Sequence, residues 1–142
     1  RQLHEEQGLT PEVVANGPFR TWRTGSLSVH EGDLFHLGAA ELAGVDRVWD
    51  RASYVALDPD RRRRYVSHLR ALLPAGTRWL LNVVRYDTSL QGGPPHSISE
   101  EEVREVFDGA EVSLLLRADE LDDRARANGH TWWEKSVYGV VL

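Results

Sequence analysis

The 142-residue sequence contains no cysteine, which excludes a disulfide framework, a thiolate metal site and a thiol nucleophile. No apolar run approaches the ~20 residues that a membrane-spanning helix needs. No charged-then-apolar segment opens the chain in the manner of a secretory signal. Positive charge is not in excess either. There are 17 Lys and Arg against 22 Asp and Glu, a net charge of −5, which disfavours a nucleic-acid or anionic-membrane partner. Internal repeats, linkers and low-complexity tracts are lacking. His4, His30, His36, His68, His96 and His130 show no metal-ligand spacing and are expected to be satisfied surface groups. What remains is ordinary for a globular chain of one-domain size: 41% hydrophobic and 27% charged residues. The expectation is a cytoplasmic monomer with a single, partial domain over residues 1–142.

The stretch "RQLHEEQGLTPEVV" (1–14) reads as the end of an amphipathic helix with Gly8 as its stop and no start before it. The chain is therefore expected to open in mid-domain. Alternation of Phe19 with Thr21 and of Leu27 with Val29 predicts two short strands joined around Gly25. "AAELAGV" suffices for a turn or two of helix, and "RVWDRASYVAL" (47–57) reads as a strand. In "DPDRRRRYVSHLRALLPAG", Asp58 stands at an N-cap and Pro59 at the first helical position. Tyr65, Leu69, Leu72 and Leu73 form one apolar stripe on this helix.

"TRWLLNVVRYD" is a nearly unbroken apolar run, as expected of a parallel strand covered on both sides. After the loop "TSLQGGPPHSI", Ser99 and Glu102 form a capping box that opens a helix. "EVSLLLRADEL" and "TWWEKSVYGVVL" read as strands separated by a polar connection. With no long helix between them they are expected to pair antiparallel at a sheet edge. Trp132 and Trp133 are expected to point to opposite faces, mainly as packing residues. Arg61 to Arg64 point all round their helix, so a solvated face is expected rather than a phosphate patch.

Strand, helix, strand, helix, strand, strand is an α/β order, implying a mostly parallel, Rossmann-like sheet with an antiparallel final strand. In such sheets ligands bind outside the carboxyl ends of the strands. Asp50 and Arg51 close the strand that starts near residue 47, so both are expected to face a ligand crevice. Charges there need a partner or a ligand to offset their burial. Arg51, with its planar donor fork, suits a carboxylate or another anion. The alternative is a structural ion pair with Asp50. Asp33, ahead of "LFHLGAAEL", is placed to cap a helix. The long loop after Asp87, stiffened by Pro94 and Pro95, is a candidate pocket wall.

Taken together, "VWDRASYVALDPDRRRRYVSHLRALLP", "LLNVVRYD" and "GGPPHSISEEEVREVF" resemble the thiopurine S-methyltransferases, a family of class I S-adenosylmethionine-dependent methyltransferases. "EEQGL", "SVHEGDLFHL" and "WWEKSVYGVVL" extend the likeness over nearly the whole chain. The resemblance implies S-adenosyl-L-methionine as cofactor, with Asp33 and Leu34 beside the adenine and Arg51 touching cofactor and substrate. It also implies Tyr86, Asp87, Pro94 and Pro95 at the substrate. No catalytic acid, base or nucleophile and no metal is implied. The partner would be a small aromatic or heterocyclic thiol, or a tellurium or selenium oxyanion. The family's glycine-rich cofactor loop and first strands have no counterpart here, so a carboxy-terminal fragment is expected, with two alternatives: a fragment that cannot bind cofactor alone, and a methyltransferase with a non-thiol acceptor.

Overall fold

The computed structural model describes Glu6, Gly8 and residues 10–142, and these divide into two compact units between Glu41 and Leu42. Most of the helix expected at the amino end lies outside the described residues. Residues 12–14, read above as its tail, are instead extended. They open a three-stranded antiparallel meander, β1 (Glu12–Asn16), β2 (Phe19–Thr24) and β3 (Leu27–Glu31). Two short turns connect it, each using a glycine at positive φ, Gly17 (57°) and Gly25 (55°), a conformation that costs glycine little. The sequence concealed β1 because five residues are too few to separate the two periods.

Beyond β3 the chain passes tightly over an aromatic ring. A Cβ at Gly32 would lie 2.6 Å from Phe19 Cδ1. That close approach leads into a 3-10 turn, Leu34–His36, whose cap is Asp33: the carboxylate accepts from Phe35 N at 2.9 Å. Residues 39–44 form turns where a short helix was expected.

The second unit contains β4 (Arg47–Asp50), α1 (Ser53–Ala56), α2 (Pro59–Leu72), β5 (Arg78–Tyr86), α3 (Glu100–Val106), β6 (Glu111–Asp119), α4 (Asp123–Ala127) and β7 (Trp133–Val141). The sheet order is β4-β5-β7-β6. β4 and β5 pair in parallel, and β7 lies antiparallel to both β5 and β6. Three strands therefore run one way and the last runs against them, with β6 at the edge. This is the mixed α/β architecture expected from the sequence. No helix among the described residues is long and apolar enough to cross a membrane.

Asp58 caps α2 by accepting from Arg61 N at 2.9 Å, and Ser99 Oγ accepts from Glu102 N at the start of α3. α2 packs on the sheet through Tyr65, Val66 and Leu69, α3 through Val103 and the Phe107 that follows it. The ring of Trp79 meets Tyr65 and Phe107 edge-on at 5.6 and 5.2 Å. Buried aromatic and aliphatic side chains each contribute about 1.5–3 kcal/mol, so this cluster makes a substantial contribution to the unit's cohesion.

Three expectations change here. The strand read over 47–57 ends at Asp50, and residues 53–56 are helical. β5 is not covered on both sides: Trp79, Leu81 and Val83 are buried, whereas Leu80, on the other face, is exposed. And Arg62, read as part of a solvated face, is only 2% exposed. It forms an ion pair with Glu102, donates from Nε to Leu57 O at 2.8 Å and lies over the Tyr54 ring. Its partner stands forty positions along the chain, beyond the reach of local pattern reading. Arg61, Arg63 and Arg64 are exposed, as expected.

Candidate active site

At the carboxyl end of β4 the two adjacent charges separate. Asp50 is buried, not facing a crevice. Its Oδ1 accepts from Ser53 N (3.0 Å) and Tyr54 N (3.2 Å), and its Oδ2 accepts from the Tyr65 hydroxyl (2.8 Å). Burial raises the pKa of this carboxyl above its ordinary value, while the hydrogen bonds from Tyr65, Tyr54 and Ser53 pull it back. The carboxylate is thus spent on the first turn of α1, which it caps. Arg51 cannot use it as a partner. Arg51 is exposed and has no ion pair or hydrogen bond among the described residues.

At the carboxyl end of β5, Tyr86 is buried and its hydroxyl donates to Pro95 O at 2.5 Å. Burial raises the pKa of this phenol. Ser97 Oγ accepts from Tyr86 N (3.0 Å) and donates to Tyr86 O (3.1 Å), and Ile98 N donates to Val84 O (2.8 Å). His96 N reaches Val55 O of α1 at 2.7 Å. The loop over residues 87–99 is therefore stitched down along its second half. Gly93 has φ of 90°, and a Cβ there would lie 2.7 Å from His96 Nδ1. The peptide bonds Gly93–Pro94 and Pro94–Pro95 are both cis. Asp87 is exposed. Its carboxylate takes the Ser89 hydroxyl (2.7 Å) and Ser89 N (2.9 Å), and these bonds lower its pKa.

A cavity of about 210 Å³ opens beside this loop, with Pro94, Pro95, Trp133, Glu120, Asp122 and Arg124 in its wall. Behind it Tyr86 stacks on Trp133, with centroids 4.4 Å apart, and His130 stands edge-on to both rings. His130 was expected at the surface with its bonds satisfied. It is buried instead, and neither ring nitrogen has a hydrogen-bond partner. Trp132, by contrast, is partly exposed beneath Arg85.

Of the residues named from sequence, Pro94 and Pro95 line the cavity, Tyr86 backs it, and Asp87 follows Tyr86 at the strand end. Arg51 does not line it; the His96–Val55 bond ties the loop to the helix that follows Arg51. Asp33 and Leu34 belong to the first unit. There Asp33 is exposed with one carboxylate oxygen engaged by its own turn, and Leu34 is half-buried. Sequence reasoning passed over Arg124 and took His130 for a satisfied surface group. The visible signal was "RARANGHTWW", in which cations and a histidine directly precede an aromatic pair.

The family described as thiopurine S-methyltransferase matches residues 1–141. The thiopurine S-methyltransferase of Azotobacter vinelandii is 43% identical over 107 residues, which are 75% of this chain and 49% of that protein. The Pseudomonas putida KT2440 protein of the same name is 41% identical over 118 residues, covering 83% of this chain and 55% of its own length. That of Pseudomonas fluorescens is 37% identical over 141 residues, 97% of this chain and 64% of its own. The chain thus spans between about half and two thirds of these relatives. Among solved structures, the N-methyltransferase NodS from Bradyrhizobium japonicum WM9 aligns with a TM-score of 0.47 at 12% identity, over 78% of this chain and 57% of that one. A match to all but the last residue, with the charged strand end and the Gly-Pro-Pro loop both inside it, establishes that this chain belongs to the thiopurine S-methyltransferase family.

Proposed function

We propose that this chain is part of an S-adenosylmethionine-dependent methyltransferase that methylates the sulfur of a small aromatic or heterocyclic thiol. The observation that carries the reading is Arg51: an exposed guanidinium, without a protein partner among the described residues, at the carboxyl end of a parallel strand. Its neighbour Asp50 is committed to the backbone and to Tyr65, so the cation is left for a ligand. The family match supplies the reaction class.

The residues present fit part of the cofactor. In the second unit, Arg51 suits the cofactor's carboxylate. When bound, S-adenosylmethionine supplies a methyl group on a sulfonium sulfur. The chain's own contribution is to position the reacting groups. Arg51 attracts and orients an anionic group, a thiolate or a carboxylate. Pro94, Pro95 and Trp133 give the acceptor cavity an apolar side against which a ring can lie, facing the charged Glu120, Asp122 and Arg124. An ionised aromatic thiol needs alignment more than a strong base.

A second reading rests on coverage. A chain with 49–64% of its relatives' length would lack part of the cofactor's enclosure. Calorimetric titration of the 142-residue chain with S-adenosylhomocysteine separates the two. Heat with a 1:1 end point supports a competent site in this chain, and its absence assigns binding to the longer protein only. In a full-length version of this protein, thiophenols and thiopurines are the expected acceptors; turnover of tellurite or selenite alone would replace the thiol assignment. Arg51→Ala should there reduce kcat/KM by at least 100-fold with the fold intact, and unchanged turnover would remove Arg51 from the site.

A further inference from the structure

His130 is a polar side chain in an apolar seat. It is 3% exposed, and neither ring nitrogen meets a hydrogen-bond partner among the described residues. Its ring stands edge-on to Tyr86 and to Trp133, with centroids 5.3 and 5.1 Å away. A phenylalanine or leucine would fill such a space without leaving a donor and an acceptor unpaired. Shape alone therefore does not account for an imidazole there. What an imidazole adds is a charge that changes between pH 5 and 8.

The seat is joined to the acceptor cavity on two sides. Trp133, which stacks on Tyr86 at 4.4 Å, lines the cavity together with Pro94 and Pro95. The backbone of His130 closes the end of α4, its N–H donating to Ala125 O at 3.1 Å, and α4 sets Arg124 in the cavity wall.

The ionisable groups on the surrounding elements are already engaged or point to water. On β5 the Tyr86 hydroxyl is committed to Pro95 O. On β7, Glu134 pairs with Arg85 and Arg117, and Lys135 pairs with Glu120. On α4, Asp122 accepts from Ala125 N and Arg126 donates to Leu121 O, while Asp123 and Arg124 are exposed. In the loop, His96 is drawn to α1 through its backbone N–H. Asp87 is the one anion whose ionisation His130 favours, and it is exposed. An imidazolium in the seat would hold two N–H donors and no acceptor. The pull of a ring face on a cation does not replace hydrogen bonds to a buried charge.

Resting on the acceptor-cavity reading above, we infer that His130 is a positioning residue whose charge state regulates that cavity. Its neutral ring props Trp133 against Tyr86. Proton uptake draws it out of the seat toward Asp87 and water, which loosens the aromatic wall and lowers affinity for the acceptor.

Oxidative side-chain footprinting of the 142-residue chain tests this without any turnover, with the exposed Trp49 as internal reference. Labelling of Trp133 relative to Trp49 should rise at least threefold from pH 8 to pH 5. In His130→Phe and His130→Gln, neither of which can take up the proton, it should stay flat. An unchanged ratio in the wild type overturns the inference, as does a rise that persists in either variant. In a full-length version of this protein, KM for a thiophenol should rise at least fivefold more from pH 8 to pH 6 in the wild type than in His130→Phe, with KM for the cofactor unaffected; equal rises overturn the inference. Failure of every thiol acceptor at pH 8 would instead remove the methyl-transfer reading, and the footprint would still decide the role of His130.

Discussion

Tyr65→Phe isolates the bond on which the β4–α1 turn depends. The substitution keeps the ring against Trp79 and deletes only the hydroxyl that donates to Asp50 Oδ2 at 2.8 Å. A hydrogen bond to a charged, buried acceptor contributes about 1.5–3 kcal/mol. That loss is the expected drop in unfolding free energy at pH 8, the end of the range farthest above the ordinary carboxyl value of 3.8. The pH dependence supplies the decisive test. Burial holds the folded-state pKa of Asp50 above its unfolded value of 3.8. The folded state therefore binds this proton more readily than the unfolded state. Asp50 lowers stability above its folded pKa, and the penalty is relieved as pH falls through that value toward 3.8. Removing the Tyr65 hydroxyl removes a partner of the ionised form, so it raises the folded pKa further. The difference between wild type and Tyr65→Phe should be largest at pH 8 and shrink once Asp50 is protonated in both. Urea unfolding from pH 4 to 8, analysed as that difference, cancels the contributions of other groups. A gap that is constant with pH, or below about 0.5 kcal/mol at pH 8, refutes the assignment.

Arg62→Met should cost about 3 kcal/mol in urea unfolding, at the lower end for a broken buried ion pair because Glu102 can rehydrate; a cost below about 1 kcal/mol would show that the pair contributes little net stability. Gly32→Ala forces a methyl against the Phe19 ring and should destabilise the chain by about 1–3 kcal/mol. The same substitution combined with Phe19→Leu should recover part of that loss, and no recovery would contradict the contact.

The elements fixed by local chemistry were legible in the sequence. Asp58 and Pro59 at the start of α2, and Ser99 at the start of α3, sit where their types predict. Even there tertiary structure intervened: Ser99 caps the helix, but the Glu102 side chain turns to Arg62 instead of completing the capping box. Asp50 was located correctly at a strand end and misread in direction. Its partners Ser53 and Tyr54 are close in sequence, but Tyr65 is a helix away, and together they turn the carboxylate inward. The place of His130 and Arg124 beside the loop was hidden for a similar reason, although the run that carries them was visible. Their position depends on how β7 returns beside β5, a long-range pairing that no spacing encodes. The open face of β5 was hidden as well, because an apolar run shows which residues avoid water and not which neighbours are present to exclude it.

The single backbone bond from His96 to Val55 joins the proline-walled loop to the short helix anchored by Asp50. Loop and arginine turn therefore share one mechanical frame. Any molecule lodged against Pro95 would thus press on a rung that also holds the helix directly following Arg51.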